Sequence, residues 1–242
     1  MLEILLSLAL ATIPGFALAL AMYIRDHHEP EPLYLLVLAF SLGVAAFLLG
    51  IIPGRFLQEA IEHTDNLVEG RAVHAFATVA FVEELLKFLM LRFFLYPNKN
   101  FNEPLDGIVY AVMVGLGFAT AENLVYIFND GAGDGLLRMF SAIPAHAIFA
   151  VIMGYYLGIA RFTHTHELGY ALLALFSSVF LHGAYDFFLF ASFIPGMWTG
   201  AVISLLTAGW MAFRSVRLHQ KASPFKPDSA LEIRDERGTP TA

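Results

Sequence analysis

FVEELLKF, residues 81–88, sets Glu83, Glu84 and Lys87 inside an apolar run that extends from about Ala72 to Tyr96. A helix of about 20 apolar residues crosses the hydrocarbon core of a bilayer. The run is long enough, so the three charged side chains fall within a membrane span. An ionisable group facing lipid costs about 2.5–3.5 kcal/mol at a helix centre on insertion scales. Such groups persist where they face partners or water inside a bundle.

Composition agrees with a membrane setting. Hydrophobic residues make up 58% of the 242, charged residues 14%, and the 23 Phe outnumber the 14 Lys plus Arg. Mean hydropathy is +0.66. Soluble domains carry about 25% charge, so much of this surface needs lipid to cover it. The formal net charge of −7, with no basic patch, argues against nucleic acid as a partner. The chain has no Cys, which excludes a disulfide framework, a thiol nucleophile and thiolate metal ligands.

Working outward from Ala72–Tyr96, seven stretches are candidate spans: 2–24, 33–52, 72–96, 105–128, 137–160, 168–191 and 195–216. The first has no Lys or Arg ahead of its apolar run and continues to Ile24. It therefore reads as an uncleaved helix rather than a signal peptide. The connection 54–70 alternates apolar and acidic residues and reads either as a helix at the interface or as a solvated acidic loop. The expected fold is all-α and polytopic, one membrane domain over 1–218 with a four-helix catalytic core at 72–191. Residues 219–242 are too polar to pack and read as a disordered cytoplasmic tail. With the N-terminus outside, ten Lys and Arg fall on the cytoplasmic side and three outside, as the positive-inside rule requires.

The core spans hold further polar residues: Glu122 and Asn123 in one, His146 in the next, His182 and Asp186 in the next. Counted along each span, they and the Glu83–Lys87 group fall within about 10 Å of one another along the membrane normal, in its outer half. Glu83 and Glu84 lie four and three residues before Lys87, and His182 lies four before Asp186, so each set shares a helix face. Carboxylates and imidazoles without Ser, Thr or Cys point to activated water. In a metal version Glu122, His146 and His182 bind Zn²⁺ with one position open, and Glu83 or Glu84 is the base. In a metal-free version a glutamate activates water while a histidine or Asn123 steadies the oxyanion. Asp186 would hold the His182 imidazole, and Lys87 would set the local charge. The competing class is a transporter for protons or a divalent cation, which uses the same kinds of buried groups. Transporters commonly show inverted repeats, and none is evident here. His27, His28, His63, His74, His164 and His166 fall in connections or at span edges and read as solvated.

EELLK at 83–87, FATAEN at 118–123, His146 and HGAYD at 182–186 together resemble the PrsW family of intramembrane proteases, related to the CAAX-processing and bacteriocin-processing membrane proteases. The resemblance covers about residues 72–191. It implies proteolysis of a membrane-anchored, single-span protein near the extracytoplasmic side, with an anti-sigma factor as the family's described substrate. It also implies that Glu83, Glu84, His146 and His182 are catalytic, by a metallo- or glutamic-type mechanism.

Overall fold

The structure is a computed structural model, describing residues 2–25, 29–61, 66–130, 138, 140–163 and 165–225. His27, His28, His63, His164 and residues 226–242 of the expected tail lie outside the described residues. Every regular element among the described residues is helical. In chain order they are α1 (Leu2–Arg25), α2 (Leu33–Ile61), α3 (Leu67–Val73), α4 (Phe81–Met90), α5 (Pro104–Asp130), α6 (Ala142–Phe162), α7 (Glu167–Phe190) and α8 (Trp198–Ala222).

Five helices are long and apolar enough to cross a membrane: α2, α5, α6, α7 and α8. The sequence reading expected seven. Two of its stretches do not qualify in the same way. In α1 the described apolar segment is the shorter Thr12–Ile24. The third stretch is built in pieces. A π-helical turn over His74–Ala80 joins α3 to α4, and a second over Leu91–Leu95 follows α4. The junction residues Val73, His74, Ala80, Phe81, Met90 and Leu91 all keep right-handed helical angles, so residues 67–95 form one continuous rod. At about 1.5 Å per residue it is about 40 Å long. Its charged residues, which make it the site's carrier, also lower its hydropathy. π-turns insert extra residues into a helix and recur at functional sites. Here the two turns flank the segment holding Glu83, Glu84 and Lys87.

Helix α2 runs on through Pro53 to Ile61, so the first half of the 54–70 connection continues the second span as helix. Asn66 then caps α3, its side chain accepting from the backbone N–H of Val68 and Glu69 at 3.1 and 3.2 Å. Helix α8 continues to Ala222, and its last-turn His219 is buried. The first residues of the expected tail are therefore helical and packed.

Helix α5 is the hub. Every residue from Leu105 to Ala121 is buried, the pattern of a helix surrounded on all sides. It packs against α1, α2 and α6. The outer helices turn large apolar side chains outward, among them Val37, Leu48 and Ile52 on α2, Phe176 and Phe180 on α7, and Ile203, Leu206 and Trp210 on α8. Lipid is as apolar as these side chains, so helices associate in it through close packing and polar contacts. Glycine supplies the close packing. Added Cβ atoms on Gly43 of α2 and Gly117 of α5 would collide with the carbonyl oxygens of Val114 and Phe40, and Gly107 of α5 abuts the backbone of Gly154 in α6.

Gly117→Val should therefore force α2 from α5. Overpacking costs about 1–3 kcal/mol even where side chains can give way, and here the obstacle is backbone. The variant is expected to unfold at a lower temperature in detergent, whereas Gly54→Ala, with open space around Gly54, should match the parent. Equal melting temperatures for all three would contradict this packing.

Candidate active site

α4 carries the acidic end of the site. Its pairing follows from helix geometry, because residues three and four apart share a face. The Lys87 ammonium donates to Glu84 Oε1 at 2.8 Å and lies 3.4 Å from Glu83 Oε2. It also meets His146 Nδ1 at 3.0 Å. Three N–H groups thus serve two carboxylates and an imidazole. Nζ also stands 3.9 Å from the centre of the Phe118 ring, a cation–π contact that further stabilises a desolvated charge. Glu84 and Lys87 are 1% and 3% exposed, and the Glu83 side chain reaches 16%. Glu83 is the carboxylate at the wetter edge.

The expected residues of α5, α6 and α7 converge on this group. His146 on α6 bonds Glu122 Oε2 on α5 through Nε2 at 3.0 Å. With the ammonium at Nδ1, that tautomer carries its proton on Nε2 and donates to Glu122. His182 on α7 meets Glu84 Oε1 through Nδ1 at 2.9 Å and Asp186 Oδ2 through Nε2 at 3.2 Å. The His146 and His182 rings meet edge to face at 5.1 Å, and Phe149 stacks on His182 at 5.1 Å. Two relays therefore meet at the α4 glutamates, one through Lys87, His146 and Glu122, the other through His182 and Asp186.

Arg138 was missing from the sequence-derived set. It precedes α6 and pairs with Glu122 Oε2 at 2.7 Å, with its guanidinium 3.7 Å from the Tyr126 ring centre. It stands at the outer end of the expected span 137–160, where it counted as one more positive residue on the outer side. Nothing in the spacing tied it to Glu122, because that pairing is tertiary. Asn123 is fully buried, and neither its amide nitrogen nor its carbonyl oxygen has a hydrogen-bond partner among the described residues. Glu84 Oε2 is likewise without one. Buried polar atoms left unpaired are costly. His74 stays at the site's margin, packed on Phe190 at 5.0 Å and 3.3 Å from Thr78 Oγ1.

The donor set for a metal differs in one member from the expected Glu122, His146 and His182. Ligand atoms of Glu83, His146 and His182 all lie within 4.8 Å of one another. Glu122 stands outside that group, bonded to His146 and Arg138. Two imidazoles and a carboxylate are a set that binds Zn²⁺ with a fourth position open. Charge balance fits too. Glu83, Glu84, Glu122 and Asp186 bring four negative charges, and Lys87 and Arg138 are the two permanent positive partners the ion pairs supply among the described residues. With neutral imidazoles the site is two positive charges short, which a dication or two protons would supply. Lys87 stands among the donors, so coordination through His146 Nδ1 would require the ammonium to move off that nitrogen.

Buried carboxylates and imidazoles drawn from four helical segments converge inside an apolar bundle of membrane-spanning helices. The chain belongs to the PrsW family: residues 31–213 match the family described as PrsW family intramembrane metalloprotease. It is an intramembrane protease of that family and a multi-pass membrane protein. It is 36% identical to Protease PrsW of Geobacillus kaustophilus over 204 residues, covering 84% of this chain and 88% of the relative. Against Protease PrsW of Bacillus subtilis it is 37% identical over 179 residues, covering 74% and 80%. Against that of Clostridioides difficile it is 38% identical over 174 residues, covering 68% and 71%. No solved structure matches the chain.

Proposed function

We propose that the chain hydrolyses a peptide bond of a single-span membrane protein near the extracytoplasmic side, in regulated proteolysis of an anti-sigma factor. The observation that carries the chemistry is Glu84. One of its oxygens is fixed by Lys87 at 2.8 Å and His182 at 2.9 Å, while the other is buried and open among the described residues. That arrangement suits a carboxylate that takes a proton from water at Oε2 and keeps its own geometry while doing so. Asn123 suits the substrate side, its unpaired amide N–H groups donating to the carbonyl oxygen under attack. Lys87 sets its one positive charge between Glu83 and Glu84. Asp186 and Glu122 orient the two imidazoles, and Arg138 holds Glu122 in turn.

Glu83, His146 and His182 are the residues that would hold zinc. A bound ion would polarise the scissile carbonyl and lower the pKa of its water. The N-out, C-in orientation supports an extracytoplasmic cleavage level. It places the α5 end that bears Glu122 toward the outer leaflet and follows from the excess of Lys and Arg on the opposite side.

The test is purified protein in detergent, assayed for bound metal and for cleavage of a single-span peptide substrate. Zinc near one per chain, lost together with cleavage in His182→Ala, is the expected result. Cleavage that survives complete chelation would remove the metal from the reading and leave Glu84 as a metal-free base. Ion flux in liposomes without any hydrolysis would favour the transporter class instead.

A further inference from the structure

We infer that Glu29, Glu31 and Asp106 form a second cation site, with Glu103 buried beside it just before Asp106 in the sequence, for a hard divalent ion at the end of α5 remote from the catalytic centre. Asp106 and Glu122 lie on the same helix sixteen residues apart, about 24 Å along its axis. The two sites are therefore separate. Carboxylate oxygens of Glu29, Glu31 and Asp106 all lie within 4.8 Å of one another. The set contains no imidazole, and all-oxygen donors suit Mg²⁺ or Ca²⁺ rather than zinc.

The local sequence explains half of the arrangement. Pro104 opens α5, a favoured first helical position. Asp106 Oδ2 reaches back to accept from the backbone N–H of Asn102 and Glu103 at 2.7 and 2.8 Å. That is the carboxylate half of a capping box. It uses one oxygen. Asp106 is fully buried, and its Oδ1 has no hydrogen-bond partner among the described residues. Glu103 is also fully buried, and neither of its oxygens has one. Burial, with the nearby Glu29 charge, pushes the Glu103 carboxyl up against an opposing contribution from the Ser223 side chain. Helix capping needs none of these three oxygens, and burying them beside two further glutamates is costly without a cation. Around them, Glu29 Oε1 accepts from Asn102 Nδ2 at 3.2 Å, and the Tyr110 hydroxyl donates to Glu31 Oε2.

Glu29 and Glu31 belong to the segment between α1 and α2, and Glu103 and Asp106 to the start of α5. An ion held by both would tie the first two helices to the hub. Glu29 lies outside the stretch matched to the family, residues 31–213.

The experiment uses the full chain in detergent, stripped of metal and then titrated separately with Mg²⁺ and Ca²⁺. A saturable rise in unfolding temperature of about 3–6 °C is expected with one of them. Tb³⁺ should show luminescence sensitised by Tyr110 and displaced by the same cation. Asp106→Asn, which keeps the capping oxygen, and Glu29→Gln should each weaken the midpoint at least about tenfold, since each removes a charged ligand. Tyr110→Phe should lower the luminescence and leave the displacement midpoint in place. His182→Ala should leave the response intact, which separates this site from the catalytic one. No saturable response to either cation, or a response unchanged in both carboxylate variants, would overturn the proposal and leave the cluster as carboxyls that hold protons. If both carboxylate variants misfold, loss of the Tb³⁺ signal in Tyr110→Phe decides: a signal that persists at full strength places the ion elsewhere.

Discussion

Glu84→Gln is expected to lower cleavage by about 10²- to 10⁴-fold, the usual contribution of a positioned general base, while the protein still inserts and accumulates. The amide keeps the shape of the carboxylate and one acceptor oxygen. That oxygen can still receive the Lys87 ammonium, 2.8 Å away in the parent, and the His182 Nδ1–H, 2.9 Å away. The amide nitrogen then takes the place of Oε2 and has no lone pair for a proton. Folding is thus separated from chemistry by a single atom. Glu83→Gln is a useful comparison, because Glu83 has a looser contact with Lys87 at 3.4 Å and belongs to the proposed metal donors. It should lose bound metal as well as activity, whereas Glu84→Gln should retain metal. Cleavage at the parental rate by Glu84→Gln would sink the assignment of this carboxylate as the base, whatever the metal content.

The sequence reading reached this centre because intramembrane charge is rare enough to be informative residue by residue. Glu83, Glu84, Lys87, His146, His182 and Asp186 each interrupt an apolar run, and all six meet within hydrogen-bond or ion-pair reach. Three things were not legible. Arg138 lies at the outer end of the expected span 137–160, where a basic residue is unremarkable, and only tertiary folding brings it 2.7 Å from Glu122. Glu122 is held by both Arg138 and His146, and Glu83 is the carboxylate that groups with the two imidazoles, an exchange that spacing along separate helices does not determine. The π-turns were also invisible. A run of apolar residues has the same composition with or without an inserted residue, yet the insertions over His74–Ala80 and Leu91–Leu95 set which way α4 faces. At the other end of α5, nothing in the sequence singles out Glu103 or Asp106. Their burial depends on Glu29 and Glu31 arriving from a segment more than seventy residues earlier.

Lys87→Met should damage both stability and chemistry, and the way the two separate is the stronger test. Methionine fills a similar volume and retains contact with Phe118, so packing changes little. What disappears is the positive charge shared by Glu83, Glu84 and His146. Removing one partner of a buried ion pair costs about 3–5 kcal/mol, because the remaining charge is left uncompensated. The variant should therefore accumulate poorly or unfold at a markedly lower temperature in detergent, and should not cleave. Lys87→Arg is not expected to restore activity. A planar guanidinium directs its N–H groups in a fixed fork, and the three partners here surround a single nitrogen. The decisive construction is the pair Lys87→Met with Glu84→Gln. Removing the strongest of the orphaned charges should recover much of the lost stability, so the two effects on folding should fall well short of additive. Cleavage should stay absent, because the base is gone. Full additivity in stability would mean that Lys87 and Glu84 are not energetically coupled despite their 2.8 Å contact. The ammonium would then have to draw its stabilisation from His146 and Glu83 instead.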